Sequence, residues 1–223
     1  MMESSAEREV VDPQAKTDDP NHVTLLWRFG KAVCGVFAWL WLDLRVYDIE
    51  NVPDKGGVLL IANHQSYLDP ILVAVKLKRP VSFFAKSELF EHPFFGWLIS
   101  NLHAFPVRQG AGDIGAVRQA VQKLKEGHVL NVYPEGSRTE DGNLLPIQPG
   151  VALIVRKAGV PIVPVVVEGS FEVWPYNQTF PKPGRVKVLY GPPLKIEGLK
   201  GDAIVVLIDQ TFRRMLVEIK TKH

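Results

Sequence analysis

Val58-Leu59-Leu60-Ile61-Ala62, followed at once by Asn63-His64-Gln65-Ser66-Tyr67-Leu68-Asp69-Pro70, decides how this chain folds. A short apolar run ending in a polar loop predicts a buried strand. His64 then leaves the sheet at the carboxyl end of that strand, the edge where open α/β folds place their ligands. Asp69 follows closely enough to fold back on the imidazole. A histidine oriented by an aspartate, with no evident protein nucleophile, predicts a general base acting on a hydroxyl that belongs to the substrate.

Outward from this stretch, strands and helices alternate. An edge strand is predicted over 44–50, a short helix over 70–77, a strand over 81–84 and an apolar helix over 88–100 marked by Pro93. A strand follows at 104–107, then an amphipathic helix over 113–125 with Asp113 placed to cap it. Strands at 129–133, 161–167 and 185–190 follow, with a helix over 151–158 ended by Gly159 and a last helix opened by Asp202. The fold class is therefore α/β, a mostly parallel central sheet flanked by helices.

Charged residues mark the strand ends. The strand at 58–62 leads to His64 and Asp69, that at 81–84 to Lys86, and that at 104–107 to Arg108. The strand at 129–133 leads to Glu135 and Arg138. In a parallel sheet these ends gather on one edge, so a His–Asp pair would face three cations and a carboxylate. Four such coincidences favour a site for an anionic substrate.

Each residue also has a plainer reading. Asp69 before Pro70 has the form of a helix cap followed by a first-turn proline. Lys86, Arg108 and Arg138 have acidic neighbours to pair with at the surface, and such pairs contribute little. Ser66 with His64 and Asp69 imitates a hydrolase set, but no G-x-S-x-G elbow presents it. His64, Asp69 and Glu135 as a metal site lack a cysteine or second histidine nearby, so no metal is expected. His92, His103 and His128 lie in contexts that predict packing or surface roles.

The 223 residues are 46% hydrophobic and 22% charged, as in an ordinary globular protein. Cys34 has no partner in the chain, which excludes an internal disulfide. The net charge of +2 conceals an acidic segment at 1–20 and a mildly basic remainder. That remainder suits a phosphate-bearing ligand or an anionic membrane surface and falls short of a nucleic-acid footprint. Three regions are expected: a mobile tail at 1–20, a membrane-docking helical element at 21–43 and a catalytic domain at 44–223. In the second, Thr24, Arg28, Lys31 and Gly35 form a narrow basic stripe on a broad apolar surface that includes Trp27, Phe37, Trp39 and Trp41. This pattern predicts a helix lying in the membrane interface rather than crossing it.

Taken together these motifs resemble the glycerolipid acyltransferases, especially the 1-acyl-sn-glycerol-3-phosphate (lysophosphatidate) acyltransferases. The first block is NHQSYLDP, with FFAKSEL around Lys86 after it. The second is Phe105-Pro106-Val107-Arg108, the third Tyr133-Pro134-Glu135-Gly136-Ser137-Arg138, and the fourth Val160-Pro161-Ile162-Val163-Pro164-Val165. Order and spacing agree over residues 58–167. Ser137 stands where the family usually has threonine, and the second block is a looser form.

The resemblance implies that His64 is the base and Asp69 its orienting partner. It makes Arg108 and Arg138 ligands for the acceptor's phosphate, Glu135, Gly136 and Ser137 part of that pocket, and Lys86 a further phosphate-binding or organising residue. Pro161–Val165 would line the acyl or acceptor side, and backbone N–H groups near Gly136 could serve the oxyanion. The implied reaction moves a fatty acyl group from acyl carrier protein or acyl-CoA to lysophosphatidic acid, giving phosphatidic acid, with no cofactor beyond the donor. The implied partners are a membrane surface, the two substrates and the carrier protein, and the implied place is the cytoplasmic face of a membrane. A different lysolipid acceptor, or a non-catalytic lipid-binding protein of the same fold, are the alternatives.

Overall fold

The structure is a computed structural model that describes residues 19–20, 22–101, 103–107 and 114–222, with the backbone alone at 86, 95, 98, 106 and 107. The expected tail, apart from residues 19 and 20, lies outside the described residues, as do Arg108 and Asp113. In chain order the elements are α1 (Leu25–Trp41), β1 (Leu44–Tyr47), β2 (Val58–Ala62), α2 (Asp69–Ala74), β3 (Val81–Lys86), α3 (Pro93–Asn101) and β4 (Ala104–Val107). After them come α4 (Ile114–Lys125), β5 (Val129–Val132), α5 (Gly150–Ala158), β6 (Ile162–Glu168), α6 (Ser170–Val173), β7 (Val186–Tyr190) and α7 (Gly201–Thr221).

The seven strands form one sheet in the order β1-β7-β6-β2-β5-β3-β4. Among the described residues only the β6–β7 pairing is antiparallel. Strands β2 to β6 therefore run one way and end on a common edge. Every residue of β2 is buried, because helices cover both sides of the sheet. Leu59 and Ile61 pack under α4, α5 and α7, against residues such as Leu124, Val155 and Ile208. Leu60 and Ala62 face the other way, toward Ala38 and Leu42 from the α1 region and Leu72 and Val73 of α2. Burying one such aliphatic side chain contributes about 1.5–3 kcal/mol.

Pro93 begins α3, preceded by a separate 3-10 turn at Ser87–Phe90, so the apolar helix predicted over 88–100 is two elements. Helix α5 stops where Gly159 takes a left-handed conformation, φ 63°. The segment Pro161–Val165, expected to line the substrate site, corrects to core: from Ile162 onward it is a fully buried central strand.

Helix α1 starts where Thr24 accepts a hydrogen bond from the Trp27 N–H at 3.0 Å. Thr24, Lys31 and Gly35 of its stripe are half-buried. Lys31 donates to the Leu77 carbonyl, and a side chain at Gly35 would meet Val75. Trp27 and Phe37 are half-buried, while Arg28 stays exposed. The outward face is apolar: Leu25, Phe29, Val33, Val36, Trp39, Leu40 and Trp41 are all exposed. Among the described residues no helix is long and apolar enough to cross a membrane.

Candidate active site

Past the end of β2, Asn63 copies the hydrogen bonding of a strand. Its side chain accepts from Val167 N–H at 2.7 Å and donates to Val167 O at 3.0 Å, which fastens the loop to β6. The next residue, His64, is held through both of its backbone groups. Its N–H donates to Glu135 Oε1 at 2.7 Å, and its carbonyl accepts from Thr139 N–H at 3.1 Å. The loop after β5 thus fixes the backbone from which the imidazole projects.

Asp69 is the first residue of α2, yet its carboxylate turns back from the helix instead of capping it. Oδ2 accepts from His64 Nδ1 at 2.9 Å, from Gln65 N–H at 2.6 Å and from Ser66 N–H at 2.7 Å. The carboxylate is fully buried, and these three donors replace the water it has lost. Because Asp69 accepts, the proton of a neutral His64 resides on Nδ1 and the lone pair on Nε2. The His64 side chain keeps 18% of its surface exposed.

The Ser66 hydroxyl donates to Trp174 O at 2.8 Å and accepts from Leu68 N–H at 3.2 Å. It is wholly buried, which removes it as a nucleophile. Glu135 spends Oε1 on His64 N–H and Oε2 on Leu145 N–H, the latter at 2.7 Å, so it ties loops together. Burial pushes its carboxyl up to about 7, against the pull of the two N–H groups and with the Asp69 charge adding to the rise. Gly136 has φ 77° and its N–H donates to Tyr133 O at 3.1 Å, so that one N–H is already engaged. Among the described residues no histidine, cysteine and carboxylate cluster is arranged to hold a metal.

Arg138 precedes Thr139 and so shares the rim of His64. Its guanidinium lies 3.5 Å over the Tyr67 ring, and its Nη1 is buried without a partner among the described residues. Tyr67 in turn leans on Trp174, their ring centroids 5.5 Å apart. Ser137 and Gly136 are exposed beside it. Lys86 ends β3 and pairs with Val107 of β4, which places its backbone at the same sheet edge. The structure thus brings His64, Asp69, Glu135 and Arg138 together at one edge.

Sequence reasoning missed Asn63, Tyr67, Thr139 and Tyr133. Three of them lie within the quoted blocks, but nothing in their spacing announces a stacked ring or a borrowed strand bond.

Comparison with known proteins adds the following. The acyltransferase family profile matches residues 43–168. A 1-acyl-sn-glycerol-3-phosphate acyltransferase of Bacillus subtilis is 28% identical over 152 residues, 68% of this chain and 73% of that protein. A chloroplastic 1-acyl-sn-glycerol-3-phosphate acyltransferase of Brassica napus is 28% identical over 194 residues, 82% of this chain and 56% of its own length. The crystal structure of the 1-acyl-sn-glycerophosphate (LPA) acyltransferase of Thermotoga maritima superposes with a TM-score of 0.73 at 29% identity, covering 88% of this chain and 79% of that one.

Proposed function

The chain belongs to the acyltransferase family, and from that premise we propose that it transfers a fatty acyl group from a thioester to the free hydroxyl of lysophosphatidic acid, giving phosphatidic acid. The observation that carries the reading is the His64 Nδ1–Asp69 Oδ2 bond of 2.9 Å beside the unpartnered guanidinium edge of Arg138. The first supplies a base and the second an anchor for a phosphate.

His64 Nε2 takes the proton of the acceptor's hydroxyl as its oxygen attacks the thioester carbonyl. Asp69 stabilises the imidazolium that forms, and it never needs to take the proton itself. When the tetrahedral intermediate collapses, the C–S bond breaks and the leaving thiolate takes the proton back. The substrate alcohol occupies the role that a serine has in a hydrolase, so transfer is direct. Tyr67 covers one face of the Arg138 guanidinium, and the planar fork is the group proposed to contact phosphate bidentately. Arg108 and Lys86 are proposed to add positive charge at the ends of β4 and β3.

The donor is acyl carrier protein or coenzyme A thioester, with no further cofactor. Residues 44–223 form the catalytic domain in this reading, and 21–43 the docking element. The exposed row on α1 is read as the surface that meets the bilayer. Each large apolar side chain fully removed from water contributes about 1.5–3 kcal/mol, so six or seven partly inserted ones suffice to hold the enzyme at an interface. The helix also ends at the right place. Gly184 N–H donates to Trp41 O and Val186 N–H to Leu42 O, and the start of β7 adjoins the end of β6. Lipid drawn along α1 therefore arrives at the edge that holds His64.

The test is acyl transfer by the purified protein to lysophosphatidic acid and to uncharged lysolipids, each with both thioester donors. Preferential acylation of the phosphate-bearing acceptor is the expected result. Equal rates with uncharged acceptors would remove the phosphate assignment.

A further inference from the structure

An imidazole is held by a partner in its plane and by a surface against its face. Asp69 supplies the first for His64. The second is Tyr133, whose ring centroid lies 3.9 Å from that of His64 at an interplanar angle of 17°. The sheet dictates this contact. Ile61 of β2 pairs with Val132 of β5, so Tyr133 comes level with Ala62, two residues before His64.

Polar atoms collect beneath the stack. The Tyr133 hydroxyl and the Asn131 amide are buried and interact with each other, and Oδ1 of Asp69 is buried with no hydrogen-bond partner among the described residues. Asn131 is only 1% exposed and lies two residues before Tyr133, on the same side of β5. The Asp69 charge acts on the phenol, and the Asn131 side chain is its hydrogen-bonding neighbour. Buried polar groups left unpaired are costly, so the free oxygen of Asp69 beside the phenol favours a shared hydrogen-bonded group. A phenylalanine would fill the same slot without burying a hydroxyl.

We infer that Tyr133 is a positioning residue for His64. Its ring fixes the plane of the imidazole, and its hydroxyl joins Asn131 and the free oxygen of Asp69 in one polar group. The inference rests on His64 being the base. Small displacements of a catalytic group reduce rate steeply while leaving substrate binding alone, so the signature is a loss in kcat without a change in KM.

Steady-state kinetics with lysophosphatidic acid and an acyl thioester on wild type, Tyr133→Phe, Tyr133→Leu and His64→Ala tests it. Tyr133→Leu is expected to lose roughly tenfold or more in kcat with acceptor KM within about twofold. Tyr133→Phe keeps the ring and is expected to recover most of kcat. It is also expected to melt below the wild type, since removing a bonded hydroxyl destabilises whereas removing an unpaired one does not. Wild-type kcat in a folded Tyr133→Leu would overturn the role of the ring, as would equal losses in the Leu and Phe variants. A Tyr133→Phe enzyme melting at or above the wild type would overturn the role of the hydroxyl. An inactive wild type, or an active His64→Ala, would instead condemn the proposed reaction and is read separately from the Tyr133 series.

Discussion

The backbone N–H of His64 donates to Oε1 of Glu135 at 2.7 Å, so the loop that carries the base hangs from a carboxylate whose other oxygen holds Leu145. Glu135→Gln presents an amide N–H₂ to one of those two N–H donors, and two donors cannot bond each other. Turnover should fall about a hundredfold and stability by about 1–3 kcal/mol, the cost of a buried backbone donor left unpaired. Turnover together with urea unfolding of the purified variant checks both. Unchanged turnover would mean that the tie does not position His64.

Arg138→Ala should raise the KM for lysophosphatidic acid by about 10- to 100-fold, as expected for lost charge-assisted hydrogen bonds of about 1.5–3 kcal/mol. Tyr67→Leu removes only the shelf beneath the guanidinium and should raise KM by a few-fold, in line with a cation–π contact of about 0.5–1 kcal/mol. Acceptor titrations at saturating donor measure both. A normal KM in Arg138→Ala would show that the phosphate binds elsewhere.

His103 offers a test by pH. Burial, with His128, His22 and Lys123 adding positive charge nearby, holds its imidazole down at about 4 from an ordinary 6.5. As pH falls through 6.5 the unfolded chain takes up a proton that the native protein refuses. Stability present above 6.5 is therefore lost progressively toward pH 4, by up to about 3 kcal/mol. His103 also has a left-handed backbone, φ 64°, which asparagine tolerates. In urea titrations at pH 7 and pH 5, His103→Asn should lose less stability than the wild type on acidification. Parallel losses would assign the acid sensitivity to other groups.

Replacing Leu25, Phe29, Val36 and Leu40 on the exposed face of α1 with serine should abolish sedimentation with phospholipid vesicles while leaving the fold intact. None of these residues packs into the two buried clusters. Circular dichroism on the same samples controls for folding. Wild-type sedimentation of the quadruple variant would dismiss α1 as the docking surface.

These elements show what one dimension carries. Val58–Ala62 was legible to the residue because helices cover it on both sides and leave an unbroken apolar run. The four-residue helix Ser170–Val173 was not, being too short to show a period. The reversal of β7 against β6 also left no trace in the pattern of residues. On α1 the polar stripe was visible but its direction was not, since a lysine can bury its stem and satisfy its ammonium on a carbonyl, as Lys31 does on Leu77. At the site, the spacing of His64 and Asp69 announced their bond. The stack of Tyr133 on His64 and the grip of Glu135 on the His64 backbone follow from β2 pairing with β5, a long-range fact that neither block contains alone.

The most direct measurement is kcat/KM for acyl transfer to lysophosphatidic acid by wild type and His64→Ala, purified in parallel and shown to be folded. A loss of three orders of magnitude or more, with vesicle binding intact, is the expected result if Nε2 takes the acceptor's proton. An alanine variant that turns over at a rate near the wild type would contradict the account at its centre.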